Sequence, residues 1–188
     1  MQTGAWILPD SSPLPPELKA FLDDGEPPVY VGFGSMPAAD SASRTLINAT
    51  RAAGRRLVLS QGWADLELID DGPDCIAIGD VNQQALFRRI AAVVHHGGAG
   101  TTTAAARAGA AQVAVPMFSD QFYWGRRIRE LGIGAAAPFA GLSASTLAST
   151  LQETLDPVVA ARARFLAGNV TSDGAAIAAR RLVALGLG

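Results

Sequence analysis

Two adjacent histidines run into three glycines and three threonines in His95-His96-Gly97-Gly98-Ala99-Gly100-Thr101-Thr102-Thr103. Imidazole N–H groups and hydroxyls are the donors an anion needs, and glycines let backbone amides come close to it. An apolar run, Ala91-Ala92-Val93-Val94, leads into the histidines, and Ala-rich sequence follows as far as Gly109. The pattern predicts a buried strand over 91–95, a tight turn, and a helix over 101–108. A turn of this kind leaves amides unpaired at the positive end of a helix, which makes a seat for a phosphate. Neighbours on a strand point to opposite faces, so His95 and His96 cannot both meet one ligand. His95 is expected in the core and His96 at the seat. The same geometry argues against a two-histidine metal site.

Three further places could serve that seat. Asp120-Gln121 follows Pro116-Met117-Phe118-Ser119. An acid there stabilises a first helical turn. Together, the carboxylate and the amide also offer acceptors and donors to a polyol. Gly32-Phe33-Gly34-Ser35 reads as a second strand-end turn, ending on a hydroxyl. Trp63, in a loop, either stacks on a base or simply packs.

The elements that must position these residues alternate along the chain. Strands are predicted over 29–33, 56–60, 75–78, 91–95, 112–115 and 133–136. Helices are predicted over 16–22, 41–53, 82–89, 101–108 and 118–131. Three more fill the tail at 143–155, 158–167 and 175–185, the last capped by Asp173. The strands are short, apolar and without polar alternation, which predicts an α/β fold: a Rossmann-like, doubly wound parallel sheet covered on both faces. Ligands of such sheets bind beyond the carboxyl ends of the strands, where the strand order reverses. Ser35, Trp63, Val81, His96 and Asp120 each fall just past a predicted strand and are expected on that one rim. Residues 1–25, rich in proline, read as an incoming connection, and residues 26–188 as the domain it enters.

Bulk properties narrow the partners. A chain of 188 residues, 49% hydrophobic and 17% charged, suits one globular domain. A net charge of −2 supplies no basic face for nucleic acid. The lone Cys75 excludes an intrachain disulfide and a cysteine metal cluster, and fits a reducing cytoplasm. The first residues lack a basic n-region and a long apolar run, so neither a signal peptide nor a membrane span is expected. His-Gly-Gly alone could suggest a hydrolase oxyanion hole, but no Gly-x-Ser-x-Gly elbow follows. No Gly-x-Gly-x-x-Gly follows the first strand, which argues against a dinucleotide oxidoreductase.

The run from His95 to Thr103, with Asp120-Gln121 and Gly125-Arg126 downstream, resembles the inverting nucleotide-sugar glycosyltransferases, the family that includes plant and mammalian UDP-glycosyltransferases. The likeness is strongest to glycopeptide-antibiotic enzymes of the vancomycin and teicoplanin type, with sterol glucosyltransferases next. Trp6-Ile7-Leu8-Pro9-Asp10, Val31-Gly32-Phe33-Gly34-Ser35, Gly62-Trp63-Ala64-Asp65-Leu66 and Val81-Asn82 extend it over nearly the whole chain. The resemblance implies the C-terminal, donor-binding half of a two-domain GT-B architecture, with 1–25 as the interdomain linker. The N-terminal half, which in the family binds the acceptor and carries the usual general base, is not part of this sequence.

Carried over, the resemblance implies that Ser35, His96 and Thr101, with the amides of Gly98 and Gly100, hold the diphosphate. The backbone of Val81 would meet the pyrimidine edge. Asp120 and Gln121 would face the donor sugar, and Asp120 is the candidate catalytic base on this half. Plant enzymes place a uracil-stacking tryptophan just upstream of the Val81 position. This chain has Ile78-Gly79-Asp80 there, so Trp63 becomes the stacking candidate. No cofactor is implied, and no Asp-x-Asp metal motif occurs. The donor would be a UDP- or dTDP-sugar, and the partners an N-terminal domain in cis or trans and a hydrophobic aglycone. The chain alone is expected to be inactive. Two alternatives are a non-catalytic donor-binding subunit and the donor domain of a sterol or lipid glucosyltransferase.

Overall fold

The computed structural model describes residues 2–34, 42–64 and 66–186. Six strands form one sheet: β1 (Val29–Gly32), β2 (Leu57–Ser60), β3 (Cys75–Ile78), β4 (Ala92–His95), β5 (Ala111–Ala114) and β6 (Gly134–Ala136). Every pairing is parallel, in the order β3-β2-β1-β4-β5-β6. Parallel neighbours cannot be joined by a hairpin, so each connection crosses over a face of the sheet. The helices are α1 (Pro16–Asp23), α2 (Ala42–Ala52), α3 (Gln83–Leu86), α4 (Ala99–Ala108), α5 (Gln121–Leu131), α6 (Ala144–Thr154), α7 (Pro157–Ala167) and α8 (Gly174–Ala184). The α/β class and the doubly wound parallel sheet are as the sequence predicts.

Alternate strand residues feed two buried layers. Val29, Val31, Leu57, Leu59, Val94 and Val113 pack with Leu46 and Ile47 of α2 and Leu147 and Leu151 of α6. Tyr30, Val58 and Val93 turn the other way, against Leu18 and Leu22 of α1, Phe87, and Ala105 of α4. The incoming segment is therefore built into this second layer from Leu14 onward. Arg56 fastens it by donating to the carbonyls of Phe21 (2.6 Å) and Glu26 (2.7 Å).

The chain builds outward from β1 through β2 to β3, then returns to lay β4, β5 and β6 on the other side. The reversal falls between β1 and β4, paired in register up to Gly32 and His95. Their carboxyl ends flank the crevice where such sheets receive ligands.

Several local features differ from the sequence reading, among them the start of α5 at Gln121 rather than at 118. Helix α4 begins at Ala99, two residues early, with Gly98 as its N-cap. Gly100 thus lies in the first turn, where its amide needs no helical acceptor. Residues 82–89 split into the single turn of α3 and a 3₁₀ turn, Phe87–Arg89. Trp63 rides on a 3₁₀ turn, Gly62–Ala64. Asp173 stands at the N-cap of α8 without capping it. Its carboxylate lies 3.9 Å from Arg180, and its backbone pairs with Trp6.

Candidate functional site

The site begins with the two histidines, which the fold treats oppositely. His95 is fully buried at the end of β4. Its Nδ1 accepts from the Gly97 amide (3.1 Å), which leaves Nε2–H to donate to Gln112 Oε1 (3.0 Å). Burial, with His96 beside it, depresses its basicity to about pKa 4, against which the Gln112 bond works only weakly. His95 is a neutral, satisfied strut. Gln112 was a signal left unread: a polar residue in the otherwise apolar Gln112-Val113-Ala114-Val115 needs a buried partner.

His96 is half-buried and lies between the two turns at the switch point. A Cβ on Gly34 would come within 3.5 Å of its Cε1, and one on Gly98 would collide with its Nε2. The ring is thus wedged against the loops after β1 and β4. Neither ring nitrogen has a hydrogen-bond partner among the described residues, and Nδ1 is buried as well. Burial lowers its pKa and the nearby charge of Asp120 pulls the other way, so the imidazole is neutral at neutral pH.

The turn beside it holds unpaired donors. Gly97, at φ +88°, turns the chain where a side chain would press on the Gln121 carbonyl. Helical bonding starts only at Thr102, whose amide (3.0 Å) and hydroxyl (2.8 Å) both donate to the Gly98 carbonyl. The amides of Gly98, Ala99, Gly100 and Thr101 have no acceptor among the described residues. Thr102 staples the turn from beneath. Thr101 is half-exposed.

On the adjacent turn, the sequence pair Asp120-Gln121 divides in two. Asp120 is exposed, at the N-cap of α5 but without a capping bond. Its Oδ2 instead accepts from the indole N–H of Trp124 (3.1 Å), one helical turn on. The sequence reading missed Trp124, although it stands at i,i+4 from Asp120. Ser119, immediately before, has φ +57°, the one non-glycine positive φ among the described residues. Backbone strain of this sort collects at functional sites. Gln121 is the buried member of the pair. It is 4% exposed, and its Oε1 accepts from the amides of Met117 (2.8 Å) and Phe118 (3.2 Å). Its Oε1 thus helps to fold the turn.

Trp63 is 82% exposed, its amide donating to the Gly34 carbonyl (2.9 Å). It is not packed into the core; it stands on the rim beside the loop after β1. Val81 is half-buried and lines a cavity of about 630 Å³ with residues 8–12 and Gln84. Ser35 lies outside the described residues. Among the described residues no three His, Cys, Asp or Glu side chains gather as metal ligands, and no helix is long and apolar enough to cross a membrane.

Arranged this way, the rim presents unpaired amides and a neutral imidazole at one turn and a carboxylate at the next. It can receive an anion beside a hydroxylated group. Comparison with known proteins points the same way. Residues 45–185 match the family described as erythromycin biosynthesis protein CIII-like, C-terminal domain. The vancomycin aglycone glucosyltransferase of Amycolatopsis orientalis is 57% identical over 97% of this chain and 45% of its own length. The dTDP-epi-vancosaminyltransferase of the same organism is 49% identical over 87% of this chain and 43% of its length. Among solved structures, the glycotransferase of kitacinnamycin superposes with a TM-score of 0.75 at 24% identity, over 87% of this chain and 43% of that one. The chain thus spans less than half the length of the curated relatives it matches.

Proposed function

The chain belongs to the family of erythromycin biosynthesis protein CIII-like C-terminal domains, and from that premise we propose that it is the nucleotide-sugar-binding half of an inverting glycosyltransferase acting on an antibiotic-type aglycone. The observation that carries this reading is the turn after β4, where four consecutive amides and the adjoining His96 imidazole have no hydrogen-bond partner among the described residues.

In this reading the diphosphate of a UDP- or dTDP-sugar sits on the amides of residues 98–101, with His96 and the Thr101 hydroxyl as further donors. The positive end of α4 adds roughly 0.3–1 kcal/mol, more where water is excluded. Transfer is a single displacement at the anomeric carbon. The acceptor oxygen attacks as the bond to the diphosphate breaks, and the proton of the acceptor hydroxyl passes to a base. Negative charge grows on the leaving diphosphate, so donors fixed there stabilise the transition state more than the bound donor. They do the work that a metal does in other transferases. Asp120, held by Trp124, faces the sugar hydroxyls. Gln121 acts through the turn it folds.

The acceptor pocket and the principal base belong to the part of the relatives that this chain does not span. Alone, it binds donor and transfers nothing; with an N-terminal half supplied in trans, it turns over. The test is calorimetric titration with UDP, dTDP and their sugars. Wild-type protein is expected to bind the nucleoside diphosphate, and His96→Ala and Thr101→Ala to weaken it about tenfold each, or about 1.4 kcal/mol. Affinities unchanged in both variants would remove the phosphate seat.

A further inference from the structure

Resting on the donor-site reading above, we propose that the N-terminal strap, residues 8–12, is a wall of the nucleoside subsite and that Asn82 is the positioning residue that holds it there. Neither role follows from the phosphate seat.

Asn82 is 5% exposed, yet every donor of its carboxamide is occupied across a long stretch of sequence. Its Nδ2 donates to the carbonyls of Asp10 (3.1 Å) and Ser12 (2.8 Å). Its Oδ1 accepts from the Ala85 amide (2.9 Å) and caps α3. Two residues on, Gln84 Nε2 donates to the Leu8 carbonyl (2.8 Å). Two carboxamides, Asn82 and Gln84, thus tie one loop to the strap above it. Val81, next in the chain, sits where those ties converge.

The space they enclose has the right extent. The cavity of about 630 Å³ has Leu8 to Ser12 on one side and Val81, Gln84 and Ala104 on the other. A second cavity, of about 700 Å³, shares Leu8, Gln84 and Ala104 with it and reaches Ala99 and Gly100. The two form a trough along α4, running from the free amides to Val81 under the strap. Ala104 lies about one helical turn, ~5–6 Å, beyond Gly100. A nucleoside whose diphosphate sits on those amides extends into this trough and packs against the strap. Without the Asn82 bonds, the strap loses its anchor over Val81 while the turn after β4 stays as it is.

The test separates the two parts of the ligand. The chain is titrated with inorganic pyrophosphate and with whichever of UDP and dTDP binds the tighter. Asn82→Ser keeps an oxygen to cap α3 and removes both donations to the strap. It is expected to weaken the nucleotide about tenfold and leave pyrophosphate unchanged. Gln84→Ala, which touches no core contact, is expected to weaken the nucleotide about threefold, again sparing pyrophosphate, and it carries the test should the Asn82→Ser variant melt early. Equal losses for both ligands, or no loss for the nucleotide in either variant, overturn the inference. A wild-type chain that binds pyrophosphate as well as it binds nucleotide overturns this inference alone. One that binds neither overturns the donor-site reading beneath it as well.

Discussion

The turns after β4 and β5 lie side by side on the same rim, each leading from a buried strand into a helix, and they resolve their backbone groups in opposite ways. After β4, the amides of residues 98–101 and the His96 ring are left without partners among the described residues. After β5, Gln121 gathers the amides of Met117 and Phe118, and the polar group turned outward is the Asp120 carboxylate. One turn offers donors and positive potential; the other offers acceptors and negative charge. On the proposed reading, the anionic diphosphate of a sugar nucleotide meets the first turn, and the sugar hydroxyls, which can donate, meet the second.

The same division runs through the histidine pair. His95 uses both nitrogens internally and stays neutral, whereas His96 uses neither among the described residues. The largest expected effect tests this contrast through stability. The unfolded chain protonates His95 near its ordinary value of 6.5, and the folded chain only near about 4. Between those values the unfolded state binds more protons, so stability falls as pH falls through that window, by about 3 kcal/mol in all. Thermal unfolding followed from pH 7 to 4 should show that loss, reduced in His95→Gln. Equal slopes in the two proteins would mean that His95 is not the buried neutral strut described.

Gly98→Ala comes next. Its backbone conformation suits any residue, but the added methyl meets the His96 ring, and the ring must leave the seat. Nucleoside diphosphate affinity is expected to drop about a hundredfold, or about 2.8 kcal/mol, with little change in melting temperature. Retained affinity would mean that the ring's position does not matter. The smallest effect belongs to the other turn. Asp120→Asn should leave nucleoside diphosphate binding unchanged while the nucleotide sugar weakens about threefold. Matching changes for the two ligands would dissolve the distinction between the turns.

Much of this was legible in the sequence. Unbroken apolar runs such as Val29-Tyr30-Val31 and Ala92-Val93-Val94 can only be strands buried on both faces, and their spacing leaves room only for crossovers. The opposite fates of His95 and His96 follow from strand alternation alone. What was not legible depended on who satisfies whom. Placing the start of α4 after the last glycine ignored that first-turn amides need no helical acceptor, so Gly100 fits there without loss. The structural part of Gln121 was not legible either, because nothing local shows that the amides of residues 117 and 118 would otherwise be orphaned. The bonds of Asn82 to Asp10 and Ser12 cross about seventy residues, and no local pattern records them.

The chain has only two histidines, so its imidazole spectrum holds two sets of signals and reads the central contrast directly. With ¹⁵N-labelled histidine, saturating UDP or dTDP should shift the His96 ring nitrogens strongly and leave those of His95 nearly still. Shifts confined to His95, or none at either ring while the nucleotide is bound, would contradict the assignment of the turn after β4 as the diphosphate seat.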